Sequence, residues 1–599
     1  MRDAVPEADH DPVLGRAFDR RLITRLWEAA RPHRRLVAAA LALFPLIAAA
    51  ELAQPYLLKV AIDDHILTGD WRGLSVVAGV YALVLGVLYA LRSAEAYLMA
   101  LTGQRVTHDL RATLFRHLLR LEARFFDHNP VGRLMTRVLN DVEAVSEAFT
   151  SGVFAVVADV VTLAGVVAVM LWLDWRLALV TFAIVPVLTF AVGYFRVRAR
   201  DAYREVRRRL AVLNTFLQES VQGMTVIQLF ARERPEHARF AALNADYRRA
   251  LFGSTVFEAS LYAAVEALGA VALALLLWYG SGRILDDVLT FGALVAFIQY
   301  TNRFFLPIRD LGAKYTVMQA AMAAAERIFG LLDRPPAIVD PARPVVPAPR
   351  GGAEPAVAFR GVWFAYEGEA WVLRDCAFDV APGEHVAIVG ATGEGKSTCA
   401  RLLNRTYDVT QGQVLVDGVD VRAWELARLR RHVGMVFQDT MLFTGTVGEN
   451  LAVGGTPVTA EALARALDTA NAVALVAALP RGLDEPLAER GANLSHGQRQ
   501  LLAIARAVVY NPAVLVLDEA TSSVDPESEW LIREAMKRLS SGRTTITIAH
   551  RFSTIQAADR ILVLHRGRVR EQGSHAELLR RAGIYARLWE AQAAAVAAG

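Results

Sequence analysis

Cysteine and lysine are both scarce in this chain of 599 residues. The two cysteines, Cys376 and Cys399, provide neither a disulfide framework nor a cysteine metal cluster, so they indicate small core residues in a reducing compartment. Lysine accounts for four of the 65 basic residues, at positions 59, 314, 396 and 537. Because arginine solvates the surface elsewhere, a lysine inside a motif suggests that its compact ammonium is required there.

A large net charge is also absent. The formal charge is +4, which argues against nucleic-acid binding. The arginines concentrate at 105–137 and 196–209, between apolar segments, as is typical of cytoplasmic loops that face an anionic leaflet. No cleavable signal peptide is predicted, because residues 1–35 are rich in arginine; we expect a cytoplasmic N-terminal segment with an amphipathic helix near 22–32.

Long apolar runs are missing from the second half of the chain and frequent in the first. Mean hydropathy is +0.30 and 54% of the residues are hydrophobic, both high for a soluble protein. A helix that crosses a bilayer needs about 20 apolar residues. Six segments meet this length: 36–58, 74–99, 151–173, 177–195, 257–279 and 287–307. They predict an α-helical six-span transmembrane domain over 36–330, whose second and fourth spans continue as long helices into the cytoplasm.

Several polar residues fall at membrane depth within these segments. They are Glu51, Gln54, Arg92, Glu95, Asp159, Glu266, Gln299, Asn302 and Arg303. Ionisable groups are costly in hydrocarbon, so each is expected to face the bundle interior or an aqueous cavity. Interhelical hydrogen bonding is the favoured interpretation for any single one of them. The three glutamates together slightly favour a polar cavity that tolerates cationic or amphipathic substrates.

Three interruptions divide the rest of the chain. Helical patterns break within 125–137, at Asn129-Pro130, and within 219–233, where short helices or simple surface turns are both compatible with the spacing. A proline-rich stretch within 331–354 cannot hold a continuous helix and is interpreted as the domain linker. From 355 to 599, short β-branched runs alternate with helical segments, as expected for an α/β nucleotide-binding domain.

The most specific motif lies in this second domain and follows an apolar run, His385–Val389. It comprises Gly390, Ala391, Thr392, Gly393, Glu394, Gly395, Lys396, Ser397 and Thr398. Such a loop points backbone N–H groups at the β- and γ-phosphates of a nucleotide, while the lysine adds a positive charge and the serine hydroxyl can bind Mg²⁺. The strand-like run Val514–Leu517 then ends in Asp518 and Glu519, which are suited to hold Mg²⁺ and to deprotonate an attacking water.

On these motifs, residues 355–590 resemble the ATPase domain of ATP-binding cassette (ABC) transporters, and residues 15–330 resemble the transmembrane domain of ABC exporters of the multidrug and lipid type. The resemblance assigns a role to further residues by their place in the family's motifs: adenine stacking to Tyr366, metal binding to Gln438, γ-phosphate contact to His550, the D-loop to Asp525, and the signature motif to Ser495, Gly497 and Gln498. It also implies that the breaks near 125–137 and 219–230 are coupling helices.

The resemblance implies a dimer, because in this family the signature of one ATPase domain completes the ATP site of another. Here His496 occupies a signature position where glycine is usual, whereas Glu519 is retained. In heterodimeric exporters, an altered signature occurs in the chain that keeps the catalytic glutamate, which favours a second, different half-transporter as partner. A homodimer in which His496 is a tolerated variant is the alternative.

The predicted function is therefore ATP-driven export of a hydrophobic or amphipathic substrate, such as a drug-like molecule, a lipid or a peptide, across the bacterial inner membrane, with ATP and Mg²⁺ as cofactors. The predicted catalytic residues are Glu519, His550 and Lys396, and the predicted metal ligands are Ser397, Gln438 and Asp518. A nucleotide-gated channel or regulator is the main alternative, although Glu519 and His550 favour turnover. An importer and a soluble P-loop enzyme are less compatible with the fused domains and the apolar first half.

Overall fold

The computed structural model describes residues 20–347, 354–437, 440–454, 458–518, 526–548 and 555–598. The chain forms two compact units. The first, which we call the helical unit, contains the chain up to Leu119 together with Val131–Arg334. The second, the mixed unit, contains Pro335 onward and also the short segment Arg120–Pro130. Sequence reasoning had placed that short segment in the transmembrane domain.

The helical unit consists of long helices joined by short connections. Its helices are α1 (Arg20–Ala30), α2 (Arg34–Val60), α3 (Trp71–Leu118), α5 (Val131–Thr136), α6 (Val142–Glu147), α7 (Phe154–Leu173), α8 (Trp175–Phe182), α9 (Val185–Gln222), α10 (Met224–Leu229), α11 (Glu233–Leu285) and α12 (Phe291–Leu332). Helix α4 (Ala123–His128) belongs to the mixed unit. The π-helical turns Ala61–Ile66, Arg137–Asp141 and Ala148–Val153 continue or join neighbouring helices.

Five helical stretches in the described part of the chain are long and apolar enough to cross a membrane. They are Arg20–Ile66, Trp71–Leu118, Val131–Leu173, Trp175–Gln222 and Glu233–Leu285. They contain the first five predicted spans, and α12 contains most of the sixth. Helices α3 and α9 run far beyond the second and fourth spans, as the charged continuations of those spans predicted, and α11 begins well before the fifth span.

Aspartate caps explain why two of the connections between long helices are so short. Asp70 accepts hydrogen bonds from the backbone N–H groups of Arg72 and Gly73 at the start of α3. Asp174 accepts from Arg176 and Leu177 at the start of α8, and its second oxygen lies 2.8 Å from the guanidinium of Arg283. Each cap satisfies donors that would otherwise be unpaired at a helix start, so the chain reverses within a few residues.

Pro55 explains one cluster of polar residues in the bundle. Proline has no N–H, so the carbonyl of Glu51, four residues earlier in α2, loses its intrahelical donor. Arg303 of α12 donates to that carbonyl and, at 2.6 Å, to Oε1 of Gln54. The hydroxyl of Tyr300 donates to the Leu52 carbonyl at 2.6 Å. These bonds join α2 to α12.

Four further membrane-depth charges pair with charged side chains of the unit or with one another. Arg92 lies 2.6 Å from the carboxylate of Glu51 and 3.0 Å from that of Glu95. Lys314 of α12 pairs with Asp159 of α7. Pairing within the bundle therefore accounts for these residues, and two of the three glutamates that favoured a cation-tolerant cavity, Glu51 and Glu95, share one arginine.

Beyond the proline-rich stretch, the mixed unit contains two main sheets. Its elements are β1 (Val357–Ala365), β2 (Trp371–Val380), β3 (His385–Val389), α13 (Lys396–Leu403), β4 (Gln411–Val416), β5 (Val419–Asp420), α14 (Leu426–His432), β6 (Val433–Val436), β7 (Gly445–Thr446), α15 (Val447–Leu451), α16 (Ala460–Thr469), α17 (Val473–Ala478), β8 (Pro486–Leu487), α18 (His496–Tyr510), β9 (Val514–Asp518), α19 (Pro526–Ser540), β10 (Thr544–Ile548), β11 (Arg560–His565), β12 (Arg568–Gly573), α20 (His575–Arg580) and α21 (Ile584–Ala598).

The larger sheet has the order β12-β11-β3-β10-β9-β6, and its five strands from β11 to β6 are parallel. The second sheet, β2-β1-β4-β5, is antiparallel. Buried strands of both sheets pack with α13 into one core that includes both cysteines. The parallel arrangement places the carboxyl ends of β3, β10, β9 and β6 along one edge, which is where open α/β sheets bind ligands.

Candidate nucleotide-binding site

The predicted phosphate loop connects β3 to α13, as its sequence context required. Lys396 is the first residue of α13 and is 5% exposed. Its ammonium donates to the carbonyls of Gly390 at 2.8 Å and Ala391 at 2.9 Å, which closes the loop around the side chain. Thr392 and Gly393 lie exposed at the loop tip, and Ser397 follows Lys396 on the first turn of the helix.

Two glycines of the loop lie where a side chain could not be accommodated. A Cβ at Gly390 would lie 2.4 Å from the backbone oxygen of Leu564 in β11. Gly395 caps α13 with φ of 97°, and a Cβ there would lie 2.7 Å from Leu373 Cδ2. The loop therefore keeps its path because these positions carry no side chain. Glu394 supports the loop from outside, since its carboxylate accepts a hydrogen bond from the backbone N–H of Arg566.

Tyr366, predicted to stack on adenine, lies just beyond β1 and is linked to the phosphate loop. Its hydroxyl is 3.1 Å from the hydroxyl of Thr398, the third residue of α13. Nη1 of Arg401 donates to the Tyr366 hydroxyl at 3.4 Å. The tyrosine ring and the loop are thus held as one assembly.

The acidic strand end lies on the same edge of the sheet as the phosphate loop. Asp518 is the last residue of β9, and the register pairs it with Ile548 of β10, which in turn pairs with Ile388 of β3. With strands about 5 Å apart, its backbone lies about 10 Å from that of Ile388. Four predicted site residues, Glu519, His550, Gln438 and Asp525, lie outside the described residues. In sequence the first three come within two residues of the ends of β9, β10 and β6.

The signature residues form the start of α18. Ser495 is the N-cap, its hydroxyl accepts from the N–H of Gln498 at 3.2 Å, and Gln498 Oε1 accepts from the N–H of Ser495 at 2.9 Å. Gly497 is buried between them. Half-buried His496 is bonded through Nε2 to the amide nitrogen of Gln500 at 3.0 Å. The unusual histidine therefore leaves this reciprocal cap intact.

Comparisons with known proteins agree with this architecture. Residues 37–308 match the family described as ABC transporter transmembrane region, and residues 373–522 match the ABC transporter family. The chain is 36% identical over 588 residues to an ABC transporter ATP-binding protein, YknV, of Bacillus subtilis, covering 97% of this chain and 96% of that protein. The chain belongs to the ABC transporter family.

Two further relatives place it among the exporters with fused domains. An ATP-dependent lipid A-core flippase of Thiobacillus denitrificans is 37% identical, with 95% of this chain and 98% of the flippase covered. A solved structure of a bacterial Atm1-family ABC exporter with ATP bound superposes with a TM-score of 0.76 at 32% identity, and the match covers 94% of this chain and 98% of that one. This ABC exporter is a multi-pass membrane protein with an ATPase domain.

ABC ATPase domains use ATP with Mg²⁺, and the residues of this exporter fit both. A buried ammonium within a glycine loop suits polyphosphate, and the Ser397 hydroxyl and the Asp518 carboxylate are oxygen ligands of the kind that Mg²⁺ prefers. Within the described ranges, no group of three or more His, Cys, Asp or Glu side chains forms a metal site.

Helix α4, at the first predicted coupling break, is seated in the mixed unit of the exporter. Phe125 is 2% exposed, and Asn129 caps the helix by donating to the Phe125 carbonyl at 2.8 Å. The carboxylate of Glu122 accepts from the N–H of Ala337 at 3.2 Å. At the end of α4, Asp127 accepts a hydrogen bond from the hydroxyl of Tyr407. Sequence reasoning had identified the helix break but not Tyr407, because 280 residues separate the two partners.

The second polar contact of α4 involves His128. Its Nδ1 bonds to the Arg124 carbonyl at 2.7 Å and its Nε2 to the carboxylate of Glu367 at 2.7 Å. The hydrogen bond to the Arg124 carbonyl and then the one to Glu367 raise the pKa of His128, against smaller opposing effects of desolvation and of the Arg124 charge. Both ring nitrogens therefore donate, and the imidazolium form is favoured.

We expect the seating of α4 to weaken as the pH rises. Because the pKa of His128 is raised in the folded state, its hydrogen bonds stabilise the seating of α4 fully at a pH below the unfolded pKa of about 6.5. This stabilisation is lost as the pH rises through the raised pKa. Hydrogen exchange at the α4 amides, corrected for intrinsic rates, should show more protection at about pH 6 than at about pH 8.5. His128→Gln should remove this difference. Greater protection at the higher pH in the unmodified exporter would contradict the assignment.

Proposed function

We propose that this exporter uses ATP binding and hydrolysis to move a hydrophobic or amphipathic substrate, such as a lipid, a drug-like molecule or a peptide, across the bacterial inner membrane. The observation that carries the proposal is the chain's path through α4. This helix lies between α3 and α5 in sequence, and both of those belong to stretches able to cross a membrane. Yet α4 packs within the unit that holds the phosphate loop.

The predicted residues have complementary roles at the ATP site. Lys396 and the N–H groups of the loop bind the β- and γ-phosphates, while Tyr366 offers its ring to adenine. Ser397, Asp518 and Gln438 would hold Mg²⁺, which neutralises phosphate charge when bound. Glu519 would accept a proton from the attacking water, and His550 would donate a hydrogen bond to the transferring phosphoryl group.

A dimer would complete two such sites, because Ser495 and Gly497 of one chain would contact the nucleotide of the other. Exposed apolar side chains support association with a second chain. In the helical unit they include Met224, Val226 and Leu229 on α10; in the mixed unit they include Phe437, Met441 and Phe443. Binding of nucleotide by two domains at once would favour their closure, and hydrolysis would release it, switching the bundle between inward-facing and outward-facing states.

We favour a heterodimer, because this chain combines an altered signature residue, His496, with a retained catalytic glutamate, Glu519. The homodimer is the alternative. The test expresses two differently tagged copies of this chain together with other half-transporters encoded near it in the same genome. It distinguishes the heterodimer from the homodimer. Purification through one tag should recover a different half-transporter and little of the second tag. Recovery of equal amounts of both tags in an active complex would establish the homodimer.

The proposed orientation places the N-terminus and the ATPase domain in the cytoplasm, with the arginine-rich segments at the inner leaflet. The test is transport in proteoliposomes of the purified complex with ATPase domains outward. A panel of amphipathic dyes, lipopolysaccharide precursors, phospholipids and peptides is screened for stimulation of hydrolysis, and stimulating compounds are then assayed for ATP-dependent uptake. Accumulation that requires ATP supports export. Hydrolysis without movement of any stimulating compound would favour a channel or regulator.

A further inference from the structure

We infer that Tyr407 is a positioning residue that joins the coupling helix α4 to the adenine-stacking Tyr366, so that the ATPase site senses through the base, and not only the phosphates, how α4 is seated. This inference rests on the proposed function and specifies how one of its sites is regulated. It concerns residues of the mixed unit alone.

The first observation is a cluster of three aromatic rings. Tyr407 meets Tyr366 edge to face, with ring centroids 5.2 Å apart and planes at 89°. Phe364 contacts both rings at 4.8 and 5.6 Å, again nearly perpendicular. Such edge contacts fix the plane of the Tyr366 ring. The plane of that ring determines the plane of a base stacked on it.

The second observation is that the ends of this cluster are fixed to two different elements. The Tyr366 hydroxyl bonds to Thr398 of α13, the helix that begins at the phosphate loop. The Tyr407 hydroxyl bonds to Asp127 of α4. Tyr407 is 6% exposed, and burial followed by the bond to Asp127 raises the pKa of its hydroxyl, which therefore stays protonated and remains a donor. Its own backbone N–H reaches the Arg401 carbonyl of α13 at 3.4 Å.

The third observation is an independent contact between α4 and the residue that follows Tyr366. Glu367, the next residue in the chain, carries the carboxylate that binds His128 of α4. Asp127 and His128 are consecutive. The end of α4 therefore bonds both to Tyr407, whose ring packs against Tyr366, and to Glu367, which follows Tyr366 in the chain. A displacement of α4 would shift both supports together.

Linkage makes the effect reciprocal. If the seating of α4 changes the affinity for the base, then binding of the base must change the free energy of seating by the same amount. Movement of the membrane helices on either side of α4 would then alter ATP affinity. A route through the phosphates alone would affect ATP and inorganic tripolyphosphate equally, whereas this route affects only a ligand that carries a base.

The experiment uses the complete exporter complex in lipid nanodiscs. Tyr407→Phe keeps the ring but removes the hydroxyl, and we expect the KM for ATP to rise about 5-fold, as for the net loss of one ordinary hydrogen bond, with a smaller change in kcat. Inhibition of ATP hydrolysis by tripolyphosphate should keep its inhibition constant. Asp127→Ala should reproduce the Tyr407→Phe values, and the double variant should be no worse than either single one. Asp127→Asn, which keeps an acceptor oxygen, should restore most of the loss.

Tyr585→Phe is the matched control, because Tyr585 is also buried in the mixed unit and its hydroxyl bonds to a side chain, His575, at 2.7 Å. It should leave the KM for ATP unchanged. An unchanged KM in Tyr407→Phe and Asp127→Ala would overturn the inference while leaving the exporter assignment in place, as would an equal loss of tripolyphosphate affinity. An unmodified complex that does not hydrolyse ATP would instead overturn the proposed function.

Discussion

Glu519→Gln should abolish nearly all ATP hydrolysis by this exporter while leaving ATP binding intact. The substitution preserves size and hydrogen bonding but removes the group that accepts the proton of the attacking water. General-base catalysis contributes about 10²- to 10⁴-fold, so turnover at the site that contains Glu519 should fall by a factor in that range. The phosphate contacts proposed for Lys396 and the loop would be unaffected. Equilibrium binding of labelled ATP should therefore stay within about 2-fold, because a group that acts only in the transition state can be removed without weakening substrate binding.

The measurement needs the complete complex, since a second site could continue to turn over. Single-turnover hydrolysis separates the two sites if the partner is a different chain. Glu527→Gln is a suitable control, because this exposed glutamate lies on α19 near the same strand and has no predicted role. A Glu519→Gln complex that hydrolyses ATP at the unmodified rate would refute the assigned base.

Lys396→Ala should have the second-largest effect, on ATP binding itself. The ammonium is buried within the loop and would form charge-assisted bonds with phosphate oxygens, each contributing about 1.5–3 kcal/mol. Affinity for ATP should therefore fall about 10- to 150-fold, and hydrolysis should fall with it.

Lys537→Ala provides the control, because it removes another of the four lysines from an exposed position on α19. It should leave both binding and hydrolysis unchanged. Calorimetry with ATP and Mg²⁺ measures the affinity directly, and thermal unfolding without nucleotide checks that the alanine variant is folded. Near-normal ATP affinity in a folded Lys396→Ala protein would remove the basis of the nucleotide assignment.

Prediction from sequence succeeded where neighbouring residues share one short element. The phosphate loop needs a strand, a run of glycines and a helix start in immediate succession, and β3, the loop and α13 follow in that order. The signature residues Ser495 and Gln498 are also close in sequence, and the structure shows that they form a reciprocal cap within one helical turn. The apolar spans were predictable because a bilayer imposes a minimum length on each helix separately.

Pairings between distant parts of the chain could not be predicted in this way. Arg303 is drawn to the Glu51 carbonyl because Pro55 leaves it without a donor, but the sequence does not state which of many arginines will reach it. Arg92 likewise pairs with Glu51 and Glu95, two of the glutamates that had favoured a cavity tolerant of cationic or amphipathic substrates. In each case the sequence indicated that a polar group inside the membrane segments would need a partner, but only the packing of the helices determined which residue that partner is.

The sequence by itself determined the class of machine, since local spacing carries the phosphate loop, the acidic strand end, the signature and the membrane spans. Only the tertiary structure decided that α4, which lies between two membrane helices in the chain, is seated among residues of the ATPase domain beside Tyr407 and Tyr366. The physical reason is that a motif depends on bonds along a short segment, whereas a coupling contact depends on shape and charge complementarity between segments hundreds of residues apart.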